Sequence, residues 1–159
     1  MQNAANGVCE PKAQDAATQA NVCYAELWRY FEMLKGAVLY AKDLDKLKAF
    51  YLGIGGNLTD GIDGEFAAIS NADTELIILQ APQKIASQIV IEDPPVVRSA
   101  TPLKPIFSAT SIADVLDKLP GIGGRTVPGS KQWKFRQYFV QDIVDAEGNV
   151  IQLWQPEQR

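Results

Sequence analysis

The sequence predicts an α+β fold made of one strand–helix–three-strand unit used twice. Three observations carry that prediction. Leu52-Gly53-Ile54-Gly55-Gly56 returns as Pro120-Gly121-Ile122-Gly123-Gly124, displaced by 68 residues. Each glycine cluster closes an apolar helical pattern, as expected where glycine takes the left-handed position after a helix. A short apolar run precedes each helix and turn-separated runs follow it, so the two halves read as copies of one unit.

Composition bounds the rest. The chain has 159 residues, 47% hydrophobic and 21% charged, enough for one domain with a real core. Its net charge is −4, which argues against a nucleic-acid partner. No apolar run reaches the ~18 residues of a membrane span. No basic stretch followed by an apolar one opens the chain, so no secretory leader is expected and the cytoplasm is the expected compartment. Cys9 and Cys23 both fall near the N-terminus; one disulfide between them is open, and a reduced pair fits a cytoplasmic protein better. The chain contains no histidine. That removes Ser-His-Asp and Cys-His nucleophilic machinery.

In order along the chain, residues 1–33 read as an added segment: a polar arm, then an amphipathic helix capped by Asp15. Ala20, Tyr24, Leu27, Trp28 and Phe31 form its apolar stripe. The stripe fits packing on the same domain, a dimer contact or a partner's surface. Residues 34–159 read as the main domain, with modules at about 34–81 and 104–156. Val38–Ala41 is a strand. Asp43 caps a helix whose buried stripe is Leu44, Leu47, Tyr51 and Ile54. Asn57–Gly64 is a weak strand with turn chemistry, Phe66–Ser70 a second and Thr74–Gln80 a third. Residues 81–103 hold Pro82, Pro94, Pro95 and Pro102, which bars a long helix; Ile89-Val90-Ile91 reads as an extra edge strand. In the second unit Pro105–Ala109 is a strand. Ser111 opens a helix with Asp114 three residues on, similar to a capping box. Its stripe is Ile112, Val115, Leu116 and Leu119. Arg125–Val127 is a weak strand, Trp133–Gln141 one aromatic-rich strand, Ala146–Asn149 a tight turn and Val150–Gln155 the last strand. The glycine clusters end helices instead of opening them, so neither is a phosphate-binding loop.

Val38-Leu39-Tyr40-Ala41-Lys42-Asp43-Leu44 leading into Ala49-Phe50-Tyr51, together with Asp145-Ala146-Glu147-Gly148-Asn149-Val150-Ile151-Gln152-Leu153, resembles the opening and closing signatures of the vicinal oxygen chelate superfamily. This superfamily includes glyoxalase I, extradiol dioxygenases and bleomycin-resistance proteins. The resemblance spans about residues 34–156. It implies two βαβββ modules forming a curved eight-stranded mixed sheet around a cleft, and a homodimer. In metal-using members the ligands come from the first and last strand of each module. Those positions here are Gly36, Ile77, Lys104 and Gln152. Glycine and isoleucine offer no ligand, a protonated lysine repels a cation and a lone glutamine cannot hold one. No metal and no other cofactor is therefore expected.

Alternation along the strands places Val38, Tyr40, Ile106, Ser108 and Thr110 in that cleft, with Glu75, Ile77, Leu79, Val150, Gln152 and Trp154. Ala37, Leu39, Phe107, Leu76, Ile78, Ile151 and Leu153 then pack under the helices. The candidate ligand-binding residues are Tyr40, Ile77, Ser108, Trp133, Tyr138, Gln152 and Trp154, an apolar and aromatic set with a few polar groups. Each could equally fill core. The leading function is metal-independent binding of a small, partly apolar or aromatic molecule, with drug sequestration of the bleomycin-resistance type as one role. The acidic balance favours a cationic ligand. A metal-free isomerase or lyase using Glu75 or Tyr40 is the second reading. An interaction module acting through the N-terminal helix is the third.

Overall fold

The structure is a computed structural model that describes residues 36–157. The arm and helix expected over 1–33, with Cys9 and Cys23, lie outside the described residues. The first module runs β1 (Gly36–Ala41), α1 (Leu44–Gly53), β2 (Asn57–Ile62), β3 (Phe66–Asn71) and β4 (Thr74–Gln80). A connector follows, with one short helix, α2 (Gln83–Ala86). The second module runs β5 (Ile106–Ser108), α3 (Ile112–Lys118), a 3-10 turn (Leu119–Ile122), β6 (Arg125–Thr126), β7 (Trp133–Phe135), β8 (Tyr138–Val144) and β9 (Val150–Pro156). The strands form two mixed sheets, ordered β1-β4-β3-β2 and β5-β9-β8-β6, with β7 on β8. In each sheet the first strand lies parallel to the last: β1 on β4, β5 on β9.

The repetition is visible at the level of single hydrogen bonds. Asp43 caps α1 by accepting from the Lys46 N–H, and Ser111 caps α3 by accepting from the Asp114 N–H. The first helical amide of each, on Leu44 and on Ile112, donates to a glutamine side chain at the end of its own module's last strand, Gln80 and Gln155. Such side-chain acceptors satisfy amides that have no partner within the helix. Gly55 and Gly123, also 68 residues apart, both have positive φ, at 104° and 78°.

The helix stripes bury as expected. Leu44, Leu47, Tyr51 and Ile54 of the first module join Ile112, Val115 and Leu119 of the second in one apolar core. Ile78, Leu76, Phe107, Ile151 and Leu153 come from the inner sheet faces. The modules meet through α1. A methyl on Gly53 would press on the Ile122 side chain, and one on Gly124 would overlap the Phe50 ring. The Tyr51 ring lies 5.3 Å from Phe107, and its hydroxyl donates to Asp145 Oδ2 at 3.1 Å.

Two expectations are corrected. Ile89-Val90-Ile91 forms no strand. It runs past the start of α1, where the Ile89 carbonyl accepts from the Lys42 ammonium instead of from a sheet edge. Trp133–Gln141 is a hairpin, with the chain reversing at Arg136 and Gln137 between β7 and β8. Arg136 takes a positive φ of 53°, the conformation a tight hairpin turn demands. This split raises the strand count from the expected eight to nine, over sheets of four and five.

Candidate functional site

Strand register decides which side chains share a face. On the first sheet, Tyr40 pairs with Leu79, Leu79 with Phe66, and Phe66 with Ile62. Val38 pairs with Ile77, and Ile77 with Ala68. These rows lie opposite the helix-covered face, and Val38 and Tyr40 are 57% and 60% exposed. On the second sheet the rows are Ile106–Gln152–Asp142 and Ser108–Trp154–Val140–Trp133. Phe135 pairs with Tyr138 beside them.

Five of the predicted residues (Ser108, Trp133, Tyr138, Gln152 and Trp154) therefore fall on one face of the second sheet. Tyr40 and Ile77 fall on the open face of the first. Val150, placed in the cleft by parity, is buried instead. The connector crosses that end of the sheet: the Arg98 N–H donates to the Gly148 carbonyl, and Arg125 donates to the Pro95 carbonyl.

The second face carries an aromatic group flanked by a polar row. Trp154 lies 5.6 Å from Phe135, edge to face, and 5.2 Å from Tyr138. Trp133 and Phe135 are 39% and 45% exposed. The Arg136 guanidinium sits 5.3 Å from the centre of the Phe135 ring, a cation–π contact. In the neighbouring row of the same face runs a chain of polar contacts. Lys104 Nζ donates to Asp142 Oδ2 at 2.7 Å, Gln152 Nε2 to Asp142 Oδ1 at 3.1 Å, and Trp154 Nε1 to Gln152 Oε1 at 3.1 Å.

The sequence reading missed Phe135, Arg136 and Asp142. A signal for the first two was present. Apolar parity changes from odd at Trp133 and Phe135 to even at Tyr138 and Val140, the mark of a two-residue turn.

The residues at the four implied metal positions do not suit a divalent ion. A side chain of any kind at Gly36 would overlap the Glu75 carbonyl oxygen. Ile77 sits in an apolar row, Lys104 brings its own positive charge to Asp142, and the Gln152 amide is engaged. Among the described residues no three His, Cys, Asp or Glu side chains gather as a metal-holding group. Glu75 and Tyr40 are both exposed, and Glu75 accepts from the Thr59 hydroxyl at 3.1 Å. Neither offers the buried titratable group that the isomerase or lyase reading needs.

The buried titratable pair lies elsewhere, in the core between the modules. Burial pushes the Tyr51 hydroxyl well above its ordinary value, helped by the charge of Asp145 and the bond to it. Burial also raises the Asp145 carboxyl. Bonds from the Asn149 side chain, the Glu147 and Asn149 amides and Tyr51 pull it back down. A hollow of about 600 Å³ opens near this junction, lined by Lys42, Asp43, Glu92, Asp93 and Glu147 among others. Its charged lining holds no aromatic ring, so it lacks the make-up expected of the predicted cleft. No helix among the described residues is long and apolar enough to cross a membrane.

Two mixed modules of strand, helix and further strands, the second with one strand more than βαβββ, define the glyoxalase/bleomycin-resistance class of fold, and the comparison with solved structures shows that fold for this chain. A glyoxalase/bleomycin resistance protein from Albidiferax ferrireducens superposes with a TM-score of 0.55 at 18% identity, over 78% of this chain and 98% of its own. A glyoxalase-related enzyme from Fulvimarina pelagi gives 0.56 at 13% identity, over 79% and 88%. A glyoxalase/bleomycin resistance protein/dioxygenase from Alicyclobacillus acidocaldarius gives 0.53 at 11%, over 80% and 93%. No protein-family model and no curated protein sequence matches the chain.

Proposed function

We propose that this protein binds a small, partly aromatic molecule on the face built by β7, β8 and β9, without a metal ion. The observation that carries the reading is the partly exposed aromatic group around Trp154 beside a hydrogen-bonded polar row. Large apolar surface open to water on one side, with a few fixed polar groups, is the composition of a ligand site. Stacking a planar molecule there and burying roughly 300 Å² of it contributes about 7 kcal/mol at ~25 cal/mol/Å². Association costs of about 4 kcal/mol or more offset part of that.

A homodimer belongs to the same reading. In one chain the open face of the first sheet exposes Val38 and Tyr40 to water. A second copy laid against it removes that apolar surface from water. Drug sequestration is one role such a pocket serves. Titration calorimetry with planar aromatic compounds tests the binding. The native protein takes one up, and Trp154→Ala loses it while its circular dichroism shows that it remains folded at the titration temperature. Undiminished binding by Trp154→Ala removes the site.

A further inference from the structure

We propose that the aromatic face is selective for planar aromatic anions and that Lys104 is the residue that selects them; this rests on the binding reading above. The reason lies in which charged group of the contact chain faces solvent. Both Asp142 carboxylate oxygens are engaged, Oδ2 by Lys104 and Oδ1 by the Gln152 amide. The Gln152 carbonyl is engaged by the Trp154 indole N–H. An ammonium has three donors and no acceptor, and a glutamine amide has two donors. The chain of contacts leaves two donors over on Lys104 and one on Gln152, while each of the three acceptor oxygens keeps one lone pair, so hydrogen-bond capacity is balanced and the charge that faces solvent sets the preference.

Exposure breaks the balance. The Lys104 side chain is 34% exposed and that of Asp142 only 13%, so the accessible end of the pair is the positive one. The Arg136 guanidinium, over the Phe135 ring, adds a second cation at the edge of the aromatic group. A ligand stacked on Trp154 thus meets positive charge from the neighbouring row and at the edge. A carboxylate or sulfonate complements it; an ammonium leaves it unpaired. The net charge of −4 does not reverse this preference. Charges farther than the ~8 Å screening length at physiological salt contribute little, and contact partners decide.

Calorimetric titration of the native protein with 1-naphthoate, 1-naphthalenemethanol and 1-naphthylmethylammonium tests the proposal. The three share one ring system and differ in charge. Naphthoate is expected to bind at least about tenfold more tightly than the ammonium probe, equivalent to about 1.4 kcal/mol. Lys104→Gln erases or reverses that order while the neutral alcohol binds as before, and Lys104→Arg keeps it. Equal or tighter binding of the ammonium probe by the native protein overturns the charge preference and leaves the binding reading standing. So does an unchanged preference in Lys104→Gln. If none of the three probes binds, the binding reading itself falls and this inference with it.

Discussion

Replacing Tyr51 with phenylalanine removes one oxygen from the centre of the molecule and leaves the ring. That ring is fully buried, edge-on to Phe50 at 5.2 Å and tilted over Phe107 at 5.3 Å, and these contacts survive. What is lost is the hydrogen bond to Asp145 Oδ2. Hydrogen bonds to charged groups contribute about 1.5–3 kcal/mol. Oδ2 keeps the Asn149 amide at 2.7 Å, and Oδ1 keeps two backbone N–H groups at 2.9 Å. The carboxylate is weakened but not orphaned, which puts the expected cost at the lower end, about 1.5–2 kcal/mol.

The cost also depends on pH. Asp145 titrates above its ordinary value in the folded state, so the folded protein holds this proton more tightly than the unfolded chain. Stability falls as pH rises from the unfolded carboxyl value of about 3.9 through the higher folded value. The Tyr51 hydroxyl counters that fall, because its bond lowers the Asp145 value. Tyr51→Phe is therefore expected to cost more at pH 7 than at pH 4. Urea denaturation at the two pH values, with unchanged m, measures both quantities. A loss under about 0.5 kcal/mol at pH 7, or an equal loss at the two pH values, would refute the assignment of Tyr51 and Asp145 as the polar fastening between modules.

Other outcomes follow from the same contacts. Gly124→Ala forces a methyl into the Phe50 ring, which is fully buried and has nowhere to move. The expected loss is about 1–3 kcal/mol in urea denaturation, the usual range for overpacking. Ser111→Ala deletes the cap of α3 and is expected to lower stability by about 1 kcal/mol, while Ser111→Asp restores it. Above pH ~10 the folded state retains the Tyr51 proton that the unfolded chain releases, so stability falls; alkaline melting of Tyr51→Phe should show a shallower decline. If a second copy covers the first sheet, Tyr40→Lys is expected to convert a dimer to a monomer in sedimentation velocity; a native protein that is monomeric at the working concentration removes the pairing.

The backbone plan was legible because each element carries a local cause. Asp43 and Ser111 cap helices in the structure as their residue types predict, and the strand periods sort inner from outer faces. Thr74–Gln80 coincides with β4 end to end. The failures have causes outside the local segment. Val150 carries the right parity for the open face, but the connector lies over that end of the sheet, and no periodicity within β9 reports a distant strand of chain. Ile89-Val90-Ile91 has strand propensity but pairs with no strand, and its Ile89 carbonyl is taken by the Lys42 ammonium. Asp142 was unreadable because its role comes from Lys104, 38 residues away, reaching across to it. Side-chain pairing between elements is set by register and connector path, which single residues do not encode.

The close fit at Gly53 against Ile122 and Gly124 against Phe50 constrains how the two copies of the unit can drift apart over evolutionary time. A larger residue at either glycine is tolerable only when the facing side chain shrinks in step. Descendants of this chain should therefore change positions 50 and 124, and 53 and 122, in matched pairs, even where every other equivalent position in the duplicated halves has diverged beyond recognition.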